Sequence, residues 1–433
     1  MRPVPAPGTY RGWLAAAAAG AVLAGVSLLS LPSPELPRSA PVQVSGRAGF
    51  TVATSPPEVA VRRLLEQRAA AVRSGDESAF AATVDPKSPL DFQRRQHELF
   101  RNLATIPVTE WAYQLDGATG DRPPVPEADE TWAPRVVLRY ALTDVDSVPT
   151  QRPLGYVFAR RGGSWYLAGD EGAHGNVWRG PWDFGLCQVR RTATGMVIGH
   201  RRQPVERVAR QLDAAVADVT RIWGPGWSQR VGVVLPESRE ELRSLVGPEF
   251  AVDDIAAVAV ADRVDVAARR VEGPRVVLNP KAASELSDTA LRVVLRHEIT
   301  HTAARADTVD GAPMWMLEGF ADYVGYRGSG VAPKYIAPDL VRQLRETGPP
   351  AKLPDDGDFH QGGRRLDLAY QQSWSVVRHL AERLGERRLV DLYRRVAASN
   401  SPTTVDKALR ETTGLTKDQL VADWRADLPN TFG

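Results

Sequence analysis

His297, Glu298 and His301 fall within five residues of one another, in the run Leu295-Arg296-His297-Glu298-Ile299-Thr300-His301, and the chain has only seven histidines. On a helix, residues four apart share one face, so both imidazoles can bind a single metal ion. Glu298 is rotated by about 100° from His297. It is too far round to be an easy third ligand and is placed to reach a water at the metal as a general base. A catalytic zinc site takes three protein ligands and leaves a fourth position open. The stretch "APMWMLEGFADYVGY" supplies the third, Glu318, with 16 residues between it and His301. Asp322, four residues on and on the same face, is placed to accept the other ring N–H of a ligand histidine. Two imidazoles and a carboxylate suit one Zn2+ ion, though other divalent ions accept the same donors. A pair of core histidines that merely lie close would need neither the intervening glutamate nor the downstream Glu-x-x-x-Asp.

These side chains require two helices. Ser287 or Asp288 can cap the first, which starts near Thr289 and is apolar on most sides. Ala312-Pro313 opens the second, with proline at a tolerated early position. Gly319 and Ala321 are small enough to let the two helices pack closely. From Ser287 onward the pattern is almost wholly helical: 287–305, 313–326, 336–347, 366–384, 386–398 and two more. Before it, "GMVIGH", "RVGVVLPES" and "PRVVLNP" read as strands, with an amphipathic helix from Pro204 to Trp223. "PRVVLNP", bounded by prolines, is either an ordinary sheet strand or an edge strand that pairs with an extended peptide. A sheet followed by a run of helices is an α+β domain with a helical lobe.

"HEITH" followed by "WMLEGFADY" resembles the gluzincin metallopeptidases, the superfamily of thermolysin and the zinc aminopeptidases. The resemblance covers roughly residues 190 to 425. It implies peptide-bond hydrolysis of a peptide or protein substrate. It also implies His297, His301 and Glu318 as ligands of one Zn2+, Glu298 as general base and Asp322 as the orienting carboxylate. "AYQQSWSVVRHLAERLGERRLVDLY" is similar to the superfamily's helix that carries an oxyanion-stabilising tyrosine, and Tyr370 is the matching position. A packed core tyrosine is the alternative for Tyr370, and His360 and His379 are the alternatives for the donor. The chain departs from the aminopeptidases in one respect. "DDIAAVAVADRVDVAARRVEGPRVVLNP" lacks the Gly-x-Met-Glu-Asn segment that anchors a substrate's free amine, so exopeptidase action is not implied.

The rest of the chain sets the context. Residues 13–31, "WLAAAAAGAVLAGVSLLSL", carry no charge and follow Arg2 and Arg11. As a helix they span about 28 Å, close to a bilayer's hydrocarbon thickness. Basic residues on the near side place the remainder outside the cytoplasm. A retained transmembrane anchor is the expectation, and a cleaved signal peptide with secretion is the alternative. Residues 32–58 are a Pro/Ser-rich stalk. Residues 59–180 read as a small α+β domain of helices, then strands, closing on a hairpin at Arg161-Gly162-Gly163. That order resembles the nuclear transport factor 2-like cone fold and shows no clustered ionisable constellation. The expectation there is an accessory domain, and residues 181–433 form the metallopeptidase domain.

The balance of 54 basic to 52 acidic residues argues against nucleic acid as a partner. A single cysteine, Cys187, excludes an internal disulfide and cysteine-based zinc clusters. The competing function class is a non-catalytic cell-surface binding or assembly protein with a structural zinc site. An intact Glu298 and an open fourth coordination position distinguish the enzyme from it.

Overall fold

The computed structural model describes residues 56–171, 178–247 and 256–432. The proposed anchor and nearly all of the stalk lie outside them. Among the described residues no helix is long and apolar enough to cross a membrane. The described chain divides into two compact units, with the boundary between Gln188 and Val189.

The first unit opens with three helices, α1 (Pro56–Ser74), α2 (Glu77–Ala81) and α3 (Leu90–Leu103). Five strands follow: β1 (Val108–Asp121), β2 (Glu130–Leu142), β3 (Thr150–Leu154), β4 (Val157–Arg161) and β5 (Ser164–Gly169). They form one sheet in the order β1-β2-β4-β5, with β3 also on β2. The predicted hairpin is present: Arg161 pairs with Ser164 across Gly162 and Gly163. Both glycines have positive φ, 53° and 87°, as a two-residue turn between right-twisted strands demands. The core combines Val61 and Leu65 of α1 with Phe92, Trp132, Phe158 and Leu167.

This unit buries a lone arginine and an ion pair that no local sequence pattern announced. Arg68 is fully buried, donates to Thr83 Oγ1 at 3.0 Å and to Gln96 Oε1, and lies 3.7 Å from the centroid of the Phe80 ring. Asp85, equally buried, takes two hydrogen bonds of 2.8 Å from Arg161. The partners are 15 to 76 residues apart in sequence, which is why no local pattern announced them.

Asp183 makes one consequence measurable. Desolvation pushes its carboxyl up to about 7, and the N–H of Gly180, donating at 2.8 Å, pulls only part of the way back. Between the ordinary 3.8 and about 7 the native state therefore binds more protons than the unfolded chain. This contribution to stability is full below 3.8 and is lost as pH rises through about 7. Asp183→Asn keeps an acceptor for Gly180 and removes the charge. It should flatten that fall and exceed wild type in stability above about pH 7, read as urea midpoints across the range.

The second unit is built on a mixed sheet. Its strands are β6 (Gln188–Thr192), β7 (Gly195–Gly199), β8 (Val231–Leu235), β9 (Ala257–Val260) and β12 (Arg275–Leu278), in the order β6-β7-β8-β12-β9. β7, β8 and β12 run parallel, and β9 is antiparallel to β12. The small hairpin of β10 (Arg263–Asp265) and β11 (Arg270–Glu272) stands apart. "PRVVLNP" is therefore not an edge strand. β12 is covered on both sides by β8 and β9, and all four of its residues are buried. Among the described residues the sheet ends instead at β9, whose "AVAV" is too short and too weakly patterned to stand out in sequence.

Two helices lie between these strands, α4 (Arg202–Trp223) and α5 (Arg239–Val246). α4 buries Val205, Val208, Leu212, Val216, Val219 and Trp223, the three-to-four spacing of one helical face. It joins the main core with Val233 and Val276. The next residues along those strands, Val234 and Val277, pack with Leu242 and Leu245 of α5 in a separate cluster. Side chains alternate across a strand, so the sheet is covered on both faces.

The remainder is helical: α6 (Ala282–Glu285), α7 (Asp288–Ala304), α8 (Met314–Tyr326), α9 (Pro333–Ile336), α10 (Pro338–Glu346), α11 (Arg364–Leu384), α12 (Glu386–Ala397), α13 (Pro402–Thr413) and α14 (Lys417–Phe432). Ser287 caps α7, accepting from the Ala290 amide at 3.2 Å. The fold is α+β, a mixed sheet followed by a helical lobe.

Candidate metal centre

α7 is buried around most of its circumference, with His297 at 2%, Glu298 at 1% and His301 at 3% exposure. A helix so placed brings its polar residues to a site rather than to solvent. α8 is more extreme, with every residue from Met314 to Tyr326 buried, Glu318 and Asp322 among them. Burying that many ionisable groups is costly unless each is paired or bound to an ion.

The pairing converges on one point. The Nε2 atoms of His297 and His301 are 3.1 Å apart, and Glu318 Oε2 lies 3.3 Å from the first and 3.4 Å from the second. A tetrahedral zinc with bonds of about 2.0 Å holds its ligand atoms roughly 3.3 Å apart. The two carboxylate oxygens of Glu318 are fully buried and have no hydrogen-bond partner of ordinary geometry. Two facing imidazole nitrogens and an orphaned carboxylate are the donor set of a divalent cation, and these residues fit zinc. Among the described residues these three form the one such group, and no fourth ligand joins it.

Asp322 Oδ1 lies 2.9 Å from His297 Nδ1. That contact fixes the ring so that Nε2 faces the site. Burial disfavours the Glu318 charge, but His301 and His297 outweigh it and hold the carboxyl at about 2. Glu298 has the opposite balance: desolvation raises it, and the nearby histidines only partly offset this. The backbone N–H of Ala259 in β9 donates to the Glu298 carboxylate, while Oε2 is buried and unpartnered. Oε2 is thus left without a hydrogen bond inside the site.

Tyr370, on α11, is fully buried, and its hydroxyl has no partner of ordinary geometry. Burial first, then the charges of Glu318, Asp322 and Glu298, push its pKa well up. It is therefore a neutral donor close to the cluster. The other candidates for that role have different surroundings. His379 has its two ring nitrogens 3.3 and 3.1 Å from Asp427 and Asp423 of α14. His360 is exposed at the end of the turn Asp356–His360.

Three contributors were missed in sequence. Asp356 accepts from the Met314 amide at 2.9 Å and so caps α8 from a distant loop. Phe359, in the same turn, packs its ring 5.3 Å from that of Tyr370. Ala259 is the third. None belongs to a motif, and each acts through tertiary proximity. Gly319 also differs from expectation: it faces α11 rather than α7, and Gly325 lies against α7.

Residues 202–341 match the model of the family described as BSP, peptidase of plants and bacteria. No curated protein matches. Among solved structures, similarity extends to an M1 zinc metallopeptidase variant from Deinococcus radiodurans, at 13% identity and a TM-score of 0.36, covering 72% of this chain and 61% of that one. Native yeast LTA4 hydrolase is similar at 11% identity and a TM-score of 0.36, covering 73% and 60%. The chain thus spans about three fifths of the length of these structures. The matched segment contains His297, Glu298, His301, Glu318 and Asp322.

Proposed function

We propose that this chain is a zinc-dependent metallopeptidase that hydrolyses peptide bonds, with Glu298 as general base. The observation that carries the reading is the triangle of His297, His301 and Glu318, set at tetrahedral ligand spacing, with a Glu318 carboxylate that has no hydrogen-bond partner of ordinary geometry. Zinc in that position supplies Lewis acidity and lowers the pKa of water toward neutrality. Glu298, raised by burial and anchored by Ala259, takes the proton of the attacking water and passes it to the leaving amine. Tyr370 donates to the developing oxyanion. β9 is the end strand of the sheet among the described residues, and its outer edge is suited to pair with an extended substrate.

The rival reading is a binding protein with a structural zinc site. A closed structural site carries four protein ligands, whereas three are grouped here among the described residues. The proposal includes a membrane anchor at residues 13–31, an extracytoplasmic catalytic domain and a nuclear transport factor 2-like accessory domain at residues 59–180. It rests there on the sequence pattern alone.

The test is metal analysis of the purified protein with a peptide cleavage screen, before and after chelation. One zinc per chain is expected, with cleavage lost on chelation and restored by added zinc. Stripping should also lower the unfolding temperature, because an ion that binds only the folded state stabilises it by mass action. Stoichiometric zinc with no cleavage of any unstructured substrate would favour the rival.

A further inference from the structure

The geometry points to Arg296 as a positioning residue for the metal centre, holding the helix that carries two ligands in register with the helix that carries the third. This rests on the metallopeptidase reading and adds a residue that the HExxH pattern leaves unspecified.

His297 and His301 are fixed relative to each other by α7, as Glu318 and Asp322 are by α8. Nothing within either helix fixes how far one has slid along the other. A slide of about 0.5 Å is enough to spoil a metal site. The register comes from apolar packing between the helices together with specific contacts that index one against the other. Asp322 meets His297. Gly325 lies against Val293, where an added Cβ would stand 3.0 Å from the carbonyl oxygen. Arg296 adds a polar contact at the C-terminal end of α8.

Arg296 directly precedes His297 and is 8% exposed. One of its terminal nitrogens donates to the carbonyl of Arg327, the C-cap of α8, at 2.9 Å. The other donates to Asp218 of α4. The Arg327 carbonyl lies where a helix leaves its last carbonyls unpaired and its dipole is negative, so a buried cation there is doubly favoured. The guanidinium is planar and rigid. Its two donors therefore fix α7 against α8 and α4 at once, which a lysine ammonium on a flexible stem cannot reproduce. Asp218 is itself held from the outside by Arg221 at 2.8 Å. Arg296 thus lies away from the reacting atoms and acts through the ligands.

Arg296→Lys keeps the charge and loses the fork. Asp218→Asn leaves Arg296 in place and weakens its hold, and serves if the lysine variant folds poorly. Zinc affinity is measured by chelator competition on the full chain, and the visible spectrum is recorded after cobalt substitution. Loss of zinc affinity on the order of 10-fold or more is expected, the scale for partners that orient metal ligands, with weakened cobalt bands that report a distorted four-coordinate site. A merely structural arginine would lower the unfolding temperature and leave the affinity and the cobalt spectrum of the folded protein unchanged. That result would overturn the inference and leave the peptidase reading intact. A wild-type chain that binds neither zinc nor cobalt would overturn both.

Discussion

Glu298→Gln should lower turnover by about 10²- to 10⁴-fold while leaving zinc bound. The two side chains have nearly the same shape. The substituted glutamine would keep an oxygen for the Ala259 amide and would disturb neither His297 nor His301, but an amide cannot take a proton from water. The group it replaces is nearly inaccessible, 1% exposed, with one oxygen that has no partner. A carboxylate so placed costs stability, because burial disfavours its charge. The variant is therefore expected to be at least as stable as wild type. His297→Ala gives the contrasting result: one imidazole and its link to Asp322 are lost together, so both metal and turnover should go. Steady-state kinetics with metal analysis separates the two. Hydrolysis by Glu298→Gln at the wild-type rate would remove Glu298 from the role of base.

Gly319→Ala is expected to destabilise the chain by about 1–3 kcal/mol and to weaken metal binding. Helix propensity alone argues the other way, because alanine is favoured over glycine in a helix by about 1 kcal/mol. Packing decides. A Cβ on Gly319 would stand 2.5 Å from the carbonyl oxygen of Ser373, 2.7 Å from its carbonyl carbon and 2.8 Å from Val377 Cγ2. Two of these are backbone atoms of α11 and cannot rotate aside, so α8 and α11 must separate. Glu318 is the next residue, and the shift moves a metal ligand. Gly362→Ala is the control, since nothing lies within 4 Å of a Cβ there. Thermal unfolding with a zinc titration reads both effects. A Gly319→Ala chain as stable as wild type would show that α8 and α11 can part at no cost.

The correction at Gly319 shows where sequence reasoning stops. A small residue beside a ligand announces a close approach, but not the identity of the helix that approaches. Sequence pairs α7 with α8 because they are neighbours in the chain. The structure gives Gly319 to α11 and Gly325 to α7 because α8 is buried on all sides and must touch both. β12 fails in the same way: a short apolar run flanked by prolines reads equally as edge or interior, and only its pairing with β8 and β9 decides. The polar groups of the first unit were invisible for a related reason, since Arg68 meets Gln96 and Arg161 meets Asp85 across separations without a period.

The sequence by itself determined the donors. A fixed helical period places His297 over His301 and Glu318 over Asp322, and no tertiary information is needed to know that each pair shares a face. Tertiary structure decided the distances at which the two pairs meet, 3.3 and 3.4 Å from the histidines to Glu318, and brought in Ala259 beside Glu298, with Asp356 and Arg296 holding the helices from outside. The physical reason is range. Spacing along a helix is set by local backbone geometry, whereas the distance between helices is set by side chains from many segments packing to a common density, and that information is spread over the whole chain.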